Sequence, residues 1–119
     1  MKDRWRAFGY ALAGLVHLLR SQPHARFHLA ATMVVVTVGG WLGLSALGWG
    51  LVAFAIGLVW VAEALNTAIE ETVDLASPAE HPKAKAAKDV AAAAVLLAAA
   101  TAVAIGLLVL GPPLIARMR

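Results

Sequence analysis

The sequence carries no Asp, Glu, Lys or Arg between Arg26 and Glu63, and none between Asp89 and Arg117. A small domain leaves much of its surface in contact with water. A chain of 119 residues therefore has nowhere to hide two such stretches, and lipid is the solvent they require. The expected fold class is an all-α membrane protein with an N-terminal amphipathic surface helix and three transmembrane helices. Composition agrees: 61% of residues are hydrophobic and 14% are charged, against roughly 25% charged in soluble domains.

Residues 1–22 read as a helix lying on the membrane. At 100° per residue, Lys2, Arg6, Ala13, His17 and Arg20 fall in one narrow sector. Trp5, Phe8, Leu12, Leu15, Val16 and Leu19 fall in another, roughly 100° away, which is the pattern of an interfacial helix. The plainer alternative is an amphipathic helix packed on the rest of the protein. Ser21-Gln22-Pro23 breaks it. The first 26 residues do not form a signal peptide, because basic residues and Pro23 interrupt any apolar core. Residues 27–47 form the first span, with the roughly 20 residues needed to cross a bilayer. Residues 44–50 make an uncharged turn, with Trp41 and Trp49 placed as an aromatic belt. Residues 49–71 form the second span, 74–89 a polar loop with two X-Pro turn signals, and 90–110 the third span. Gly111-Pro112-Pro113 is expected to close it. The chain is one domain.

Lys2, Arg4, Arg6, Arg20 and Arg26 share a side with Lys83, Lys85 and Lys88 if there are three spans, leaving only Arg117 and Arg119 opposite. The positive-inside rule then puts the N-terminus and the Glu80 loop in the cytoplasm. Every acidic residue except Asp3 lies between Glu63 and Asp89. The chemistry is therefore expected to face the cytoplasm. The net charge of +3 speaks to topology, and no aromatic-basic pattern of a nucleic-acid module is present. There are no cysteines, which excludes disulfides, thiolate chemistry and Cys-based zinc sites.

Within the second span the polar residues line up. Relative to Glu63, Asn66 falls at about −60°, Glu70 at about −20°, Asp74 at about +20° and Thr67 at about +40°. Glu63 lies roughly 16 Å from Asp74 along the axis, so it is sunk below the surface that Glu70 and Asp74 approach. A carboxylate inside a span costs several kcal/mol by insertion scales and marks a functional site by default. Glu63 is placed to accept a proton. Glu70, nearer water, suits a hard divalent cation such as Mg²⁺, which commonly bridges to phosphate oxygens. The alternative is a polar cluster that fixes packing, but one Asn would do that at lower cost. Lys88-Asp89 sits at the same membrane level. By itself it reads equally well as a solvated helix start; beside the Glu63 face it suits phosphate. His24 and His28 are four apart without an evident third ligand, which favours interface histidines over a metal pair. No P-loop or glycine-rich kinase loop occurs.

Glu63-Ala-Leu-Asn66-Thr-Ala-Ile-Glu70, followed by Val73-Asp74 and Ala87-Lys88-Asp89, resembles the signature of the prokaryotic diacylglycerol kinase family, which includes undecaprenol kinases. The likeness covers nearly the whole chain. It takes in Gly9-Tyr10, Gly14-Leu15, Arg26-Phe27-His28, Ser77-Pro78 and His81-Pro82. It implies a homotrimer with composite sites in the bacterial inner membrane. It also implies transfer of the ATP γ-phosphate to the hydroxyl of a membrane lipid alcohol, diacylglycerol or undecaprenol. In that family's terms Glu63 would be the catalytic base and Asn66 its neighbour at the substrate. Glu70 would hold Mg²⁺ while helping to bind nucleotide. Lys88 and Asp89 would contact the nucleotide, with Tyr10, Glu80 and His81 nearby. The second metal-binding Glu of the family pattern falls on Gln22, where an amide oxygen replaces a carboxylate. The usual N-terminal basic contact meets Asp3, with Arg4 and Arg6 close by. The loop run from Ser77 to Asp89 looks closer to the undecaprenol-kinase branch. The rival class is a small proton-coupled transporter using Glu63, although such proteins have four spans. A third is a non-catalytic membrane subunit packing through its alanine-rich helix.

Overall fold

A computed structural model describes residues Met1 to Arg119 as four helices: α1 (Lys2–Ser21), α2 (Pro23–Leu42), α3 (Ala46–Ala76) and α4 (Pro82–Met118). The last three are long and apolar enough to cross a membrane. Each junction follows from a local device. Between α1 and α2, Gln22 alone is extended, and its N–H donates to the Leu18 carbonyl at 3.0 Å. Pro23 then starts α2, since its fixed φ suits a first helical position. Arg26 reaches back to the last turn of α1, donating from Nε to the Leu19 carbonyl at 3.0 Å and from its guanidinium to the Arg20 carbonyl at 2.9 Å. Those carbonyls have no partner within the helix.

The α2–α3 turn is tight. Gly43 adopts φ 68°, the left-handed conformation that ends helices and that glycine reaches without strain. Ser45 caps α3 by accepting from the Gly48 N–H at 3.1 Å. Gly39 faces Trp49 so closely that a Cβ there would lie 2.9 Å from the indole ring. The α3–α4 junction is capped by His81, whose Nδ1 accepts from the Lys83 N–H at 3.1 Å, with Pro82 at the helix start.

These bounds correct four expectations. The helix of the first span begins at Pro23 and ends at Leu42, because proline opens it and Gly43 closes it. The expected 44–50 turn contracts to Gly43–Ser45. The 74–89 loop contracts to Ser77–His81, because α3 runs on past the apolar segment and the Ala-Lys run after Pro82 is a strong helix former. Gly111-Pro112-Pro113 does not end α4, which continues to Met118. In an apolar medium a broken helix would leave backbone groups with no partner, so the helical path persists despite the donors proline lacks.

α3 and α4 form the main packed pair, with α2 against both more lightly. The buried stripe of α3 runs Gly48, Val52, Ala55, Val59, Glu63, Thr67, at spacings of three and four. Ala91 and Ala98 of α4 are also buried, and small side chains of this kind let membrane helices approach closely. Only 12 of 119 residues are buried, so most of the apolar surface needs a cover other than water. The radius of gyration of 17.5 Å exceeds the about 13.5 Å expected of a globular domain this long. At about 55 Å, α4 is longer than the hydrocarbon core of roughly 30 Å.

Candidate active site

Glu63 is the largest fully buried side chain in the molecule, 2% exposed. It lies on the same α3 stripe as Val52, Ala55 and Val59, so the helix period that buries those apolar residues also buries the acid. Facing it from α2 is His28, with Nε2 3.4 Å from Glu63 Oε2. The two are in close polar contact but are not aligned as a hydrogen bond. Three buried polar atoms here have no partner: Glu63 Oε2, Asn66 Oδ1 and Thr67 Oγ1. Unpaired buried polar atoms are rare and costly, each by about 1–3 kcal/mol. Three adjacent ones on α3 make a place suited to a polar ligand.

One turn further along α3, the Asn66 amide donates to Glu70 Oε1 at 3.3 Å. Glu70 is partly exposed. Beyond it the helix meets water, and Asp74 pairs with Lys88 of α4. That hydrogen bond holds the Lys88 ammonium above the usual lysine range, with the Asp74 and Glu70 charges adding to it, so Lys88 stays a cation through neutral pH. Lys85 Nζ donates to Asp89 Oδ2 at 2.5 Å, which raises Lys85 in the same way. An open cavity of about 750 Å³ is lined by Asp74, Ser77, Glu80, His81, Lys85 and Lys88, among others.

The sequence-expected residues are therefore brought together in part. Glu63, Asn66, Glu70 and Asp74 share one face of α3, as the wheel requires. Glu80, His81 and Lys88 line one cavity beyond it. Asp89 is turned to Lys85 and does not line that cavity. Tyr10 stands on α1, 75% exposed, also outside it. Gln22 is half-buried at the α1–α2 break. No three His, Cys, Asp or Glu side chains are grouped as a metal site within the chain.

Sequence reasoning missed two partners. His28 was considered with His24 and as part of the Arg26-Phe27-His28 run, without a partner on α3. Its depth, a short way into α2 from the end it shares with the α3 carboxylates, was the available signal. His17 Nε2 lies 2.5 Å from Glu71 Oε1, linking α1 to α3. Glu71 falls off the polar stripe, so nothing in the sequence pointed to it.

The sequence model of the family described as prokaryotic diacylglycerol kinase matches residues 9–110. An undecaprenol kinase of Bacillus subtilis (strain 168) is 41% identical over 110 residues, covering 92% of this chain and 89% of that protein. A diacylglycerol kinase of Synechocystis is 42% identical over 113 residues, covering 94% of this chain and 65% of that one. The diacylglycerol kinase of Escherichia coli (strain K12) is 34% identical over 98 residues, covering 82% of this chain and 80% of that one.

Proposed function

The chain belongs to the prokaryotic diacylglycerol kinase family, and from that premise we propose that Glu63 is the base that lets it phosphorylate a membrane lipid alcohol, diacylglycerol or undecaprenol. The protein is a lipid kinase and a multi-pass membrane protein. ATP is its co-substrate. The observation that carries the assignment of the base is the burial of an unpaired Glu63 Oε2 beside the unpaired Asn66 and Thr67 oxygens. A lipid hydroxyl is a donor that would satisfy that acid.

Phosphoryl transfer needs positioning, charge neutralisation and a base near the attacking hydroxyl. The lipid hydroxyl gives its proton to the Glu63 carboxylate as its oxygen forms a bond to the γ-phosphorus. The bond from that phosphorus to the β–γ bridging oxygen breaks, and ADP leaves with the electron pair. Asn66 holds the hydroxyl end of the lipid and orients Glu70. Lys88 meets the nucleotide in the cavity it lines with Glu80 and His81, while Asp89 and Tyr10, outside that cavity, contact the part of the nucleotide that extends beyond it. Mg²⁺ keeps most of its waters and takes phosphate oxygens, so one or two protein oxygens suffice. Glu70 fits that donor set, with the Gln22 amide oxygen as a weaker second. Bound there, the ion would neutralise phosphate charge.

The further features proposed are a single lipid-kinase domain over 1–119 and a homotrimer that covers the exposed apolar helix faces. α1 lies on the bilayer as an amphipathic helix, its Trp5 and Phe8 exposed for that purpose. The membrane is the bacterial inner membrane, with the N-terminus and the Glu80 loop cytoplasmic by the excess of Lys and Arg there. No observation favours a transporter. The test is purified protein in lipid with Mg²⁺-ATP and each alcohol, alongside Glu63→Gln. Phosphate is expected on lipid with the native protein and almost none with the variant. Relative rates on the two alcohols identify the substrate. Absence of lipid phosphorylation with every alcohol would overturn the reading.

A further inference from the structure

His28 is a second titratable side chain largely withdrawn from solvent, 14% exposed, in the apolar part of the fold. Its place opposite Glu63 is set by a built contact rather than by general packing. One turn along α2, the Thr32 hydroxyl donates to the His28 carbonyl at 2.7 Å and accepts from the Trp60 indole N–H at 3.1 Å. Trp60 lies about one turn before Glu63 on α3. Because α2 and α3 run antiparallel, Thr32–Trp60 and His28–Glu63 are successive rungs between the two helices. The lower rung fixes the register that carries the imidazole to the acid. Phe27 closes the near side of the imidazole, its ring meeting it edge-on at 5.9 Å.

An ionised carboxylate with no partner is poorly tolerated in an apolar interior. The polar side chain that another helix brings to Glu63 is the His28 imidazole. We propose that His28 is a positioning residue for phosphoryl transfer: its Nε2–H donates to Glu63, keeping the carboxylate available as base and aiming its free lone pair at the lipid hydroxyl. This rests on the kinase reading. The 3.4 Å separation is somewhat longer than a formed N–H···O bond. Catalytic hydrogen bonds are commonly loose without substrate and tighten when it binds. During transfer His28 keeps its proton. The proton leaving the lipid goes to Glu63 Oε1, and Oε2, then the carbonyl oxygen of the acid, still accepts from Nε2.

The experiment compares native protein, His28→Leu, His28→Gln, Glu63→Asp and the double variant Glu63→Asp with His28→Leu, all in lipid bilayers with Mg²⁺-ATP and the accepted alcohol. Leucine keeps the bulk and removes the donor, whereas the glutamine amide restores an N–H at similar reach. His28→Leu is expected to lower kcat roughly tenfold to a hundredfold, the range for losing a hydrogen bond to a charged group. KM for ATP should stay within about twofold, since the nucleotide site is untouched. His28→Gln should recover most of the rate. In Glu63→Asp the carboxylate is withdrawn from the imidazole, so adding His28→Leu should lower the rate little further. If His28→Leu does not fold, His28→Met gives the same comparison with a more adaptable side chain. Native kcat in His28→Leu, equal losses in His28→Leu and His28→Gln, or additive losses in the double variant would each overturn the proposal. Inactivity of the native protein on every alcohol would instead overturn the kinase reading beneath it.

Discussion

Glu63 and Asp74 lie on one face of one helix, and they differ in almost everything else. Glu63 is buried, meets an imidazole without completing a hydrogen bond, and keeps an oxygen unpaired. Asp74 is exposed and bonded to Lys88. Helical phase put both on that face. Depth separated their roles. Near the end of the helix an acid finds a cation and water, and it can help organise a polar cavity. Roughly 16 Å deeper, it finds neither, so its charge is free to act on a substrate. The same residue class thus supplies a base at one level and an electrostatic partner at another.

Substitutions along this face would break that contrast or sharpen it. The largest expected effect is from Glu63→Gln, which should lower kcat by about 10²–10⁴-fold, the usual worth of a positioned acid or base. Asp74→Asn should lose about tenfold or less, acting only through the Lys88 it releases. Steady-state rates on the two variants in one lipid mixture test the difference, and similar losses would erase the distinction between the levels. Lys88→Ala should next raise KM for ATP roughly tenfold with little change in kcat, because it removes a phosphate contact but no reacting group. Its melting temperature should stay near native, since exposed ion pairs contribute little to stability.

Smaller effects are expected at the proposed metal oxygens and at the helix register. Gln22→Glu should lower the Mg²⁺ concentration for half-maximal rate by roughly severalfold, because a carboxylate is the stronger hard ligand. Glu70→Gln should move it the opposite way. A magnesium titration in which Gln22→Glu leaves the midpoint unchanged removes Gln22 from the metal site. Trp60→Phe removes the indole donor to Thr32 and should cost about 0.5–1.5 kcal/mol of stability. If unfolding in mixed detergent shows no change, the Thr32–Trp60 rung does not hold the register.

Much of this site was legible without coordinates because it lies within one helix. The Glu63, Asn66, Glu70 and Asp74 phases depend only on 100° per residue. Lys88 was legible as a cation at the right end of the next helix. His28 was not, because its meeting with Glu63 depends on how far α2 slides along α3, and the Trp60–Thr32 bond that sets this joins residues 28 apart. Helix ends were misjudged where polar residues and prolines were taken to mean loop. The Ala-Lys run after Pro82 is charged and also strongly helical, and Pro112-Pro113 lies in a helix that lipid will not let break.

By itself the sequence determined that this chain needs lipid, that three helices answer that need, and which acids of α3 share a face. These follow from local rules, the exclusion of charge from hydrocarbon and the helical period. Only the tertiary structure decided that Glu63 has an imidazole beside it, that Asp74 is joined to Lys88 and that α1 is linked to α3 through His17 and Glu71. Those pairings depend on the register and separation of whole helices, which packing sets over distances that no local pattern spans.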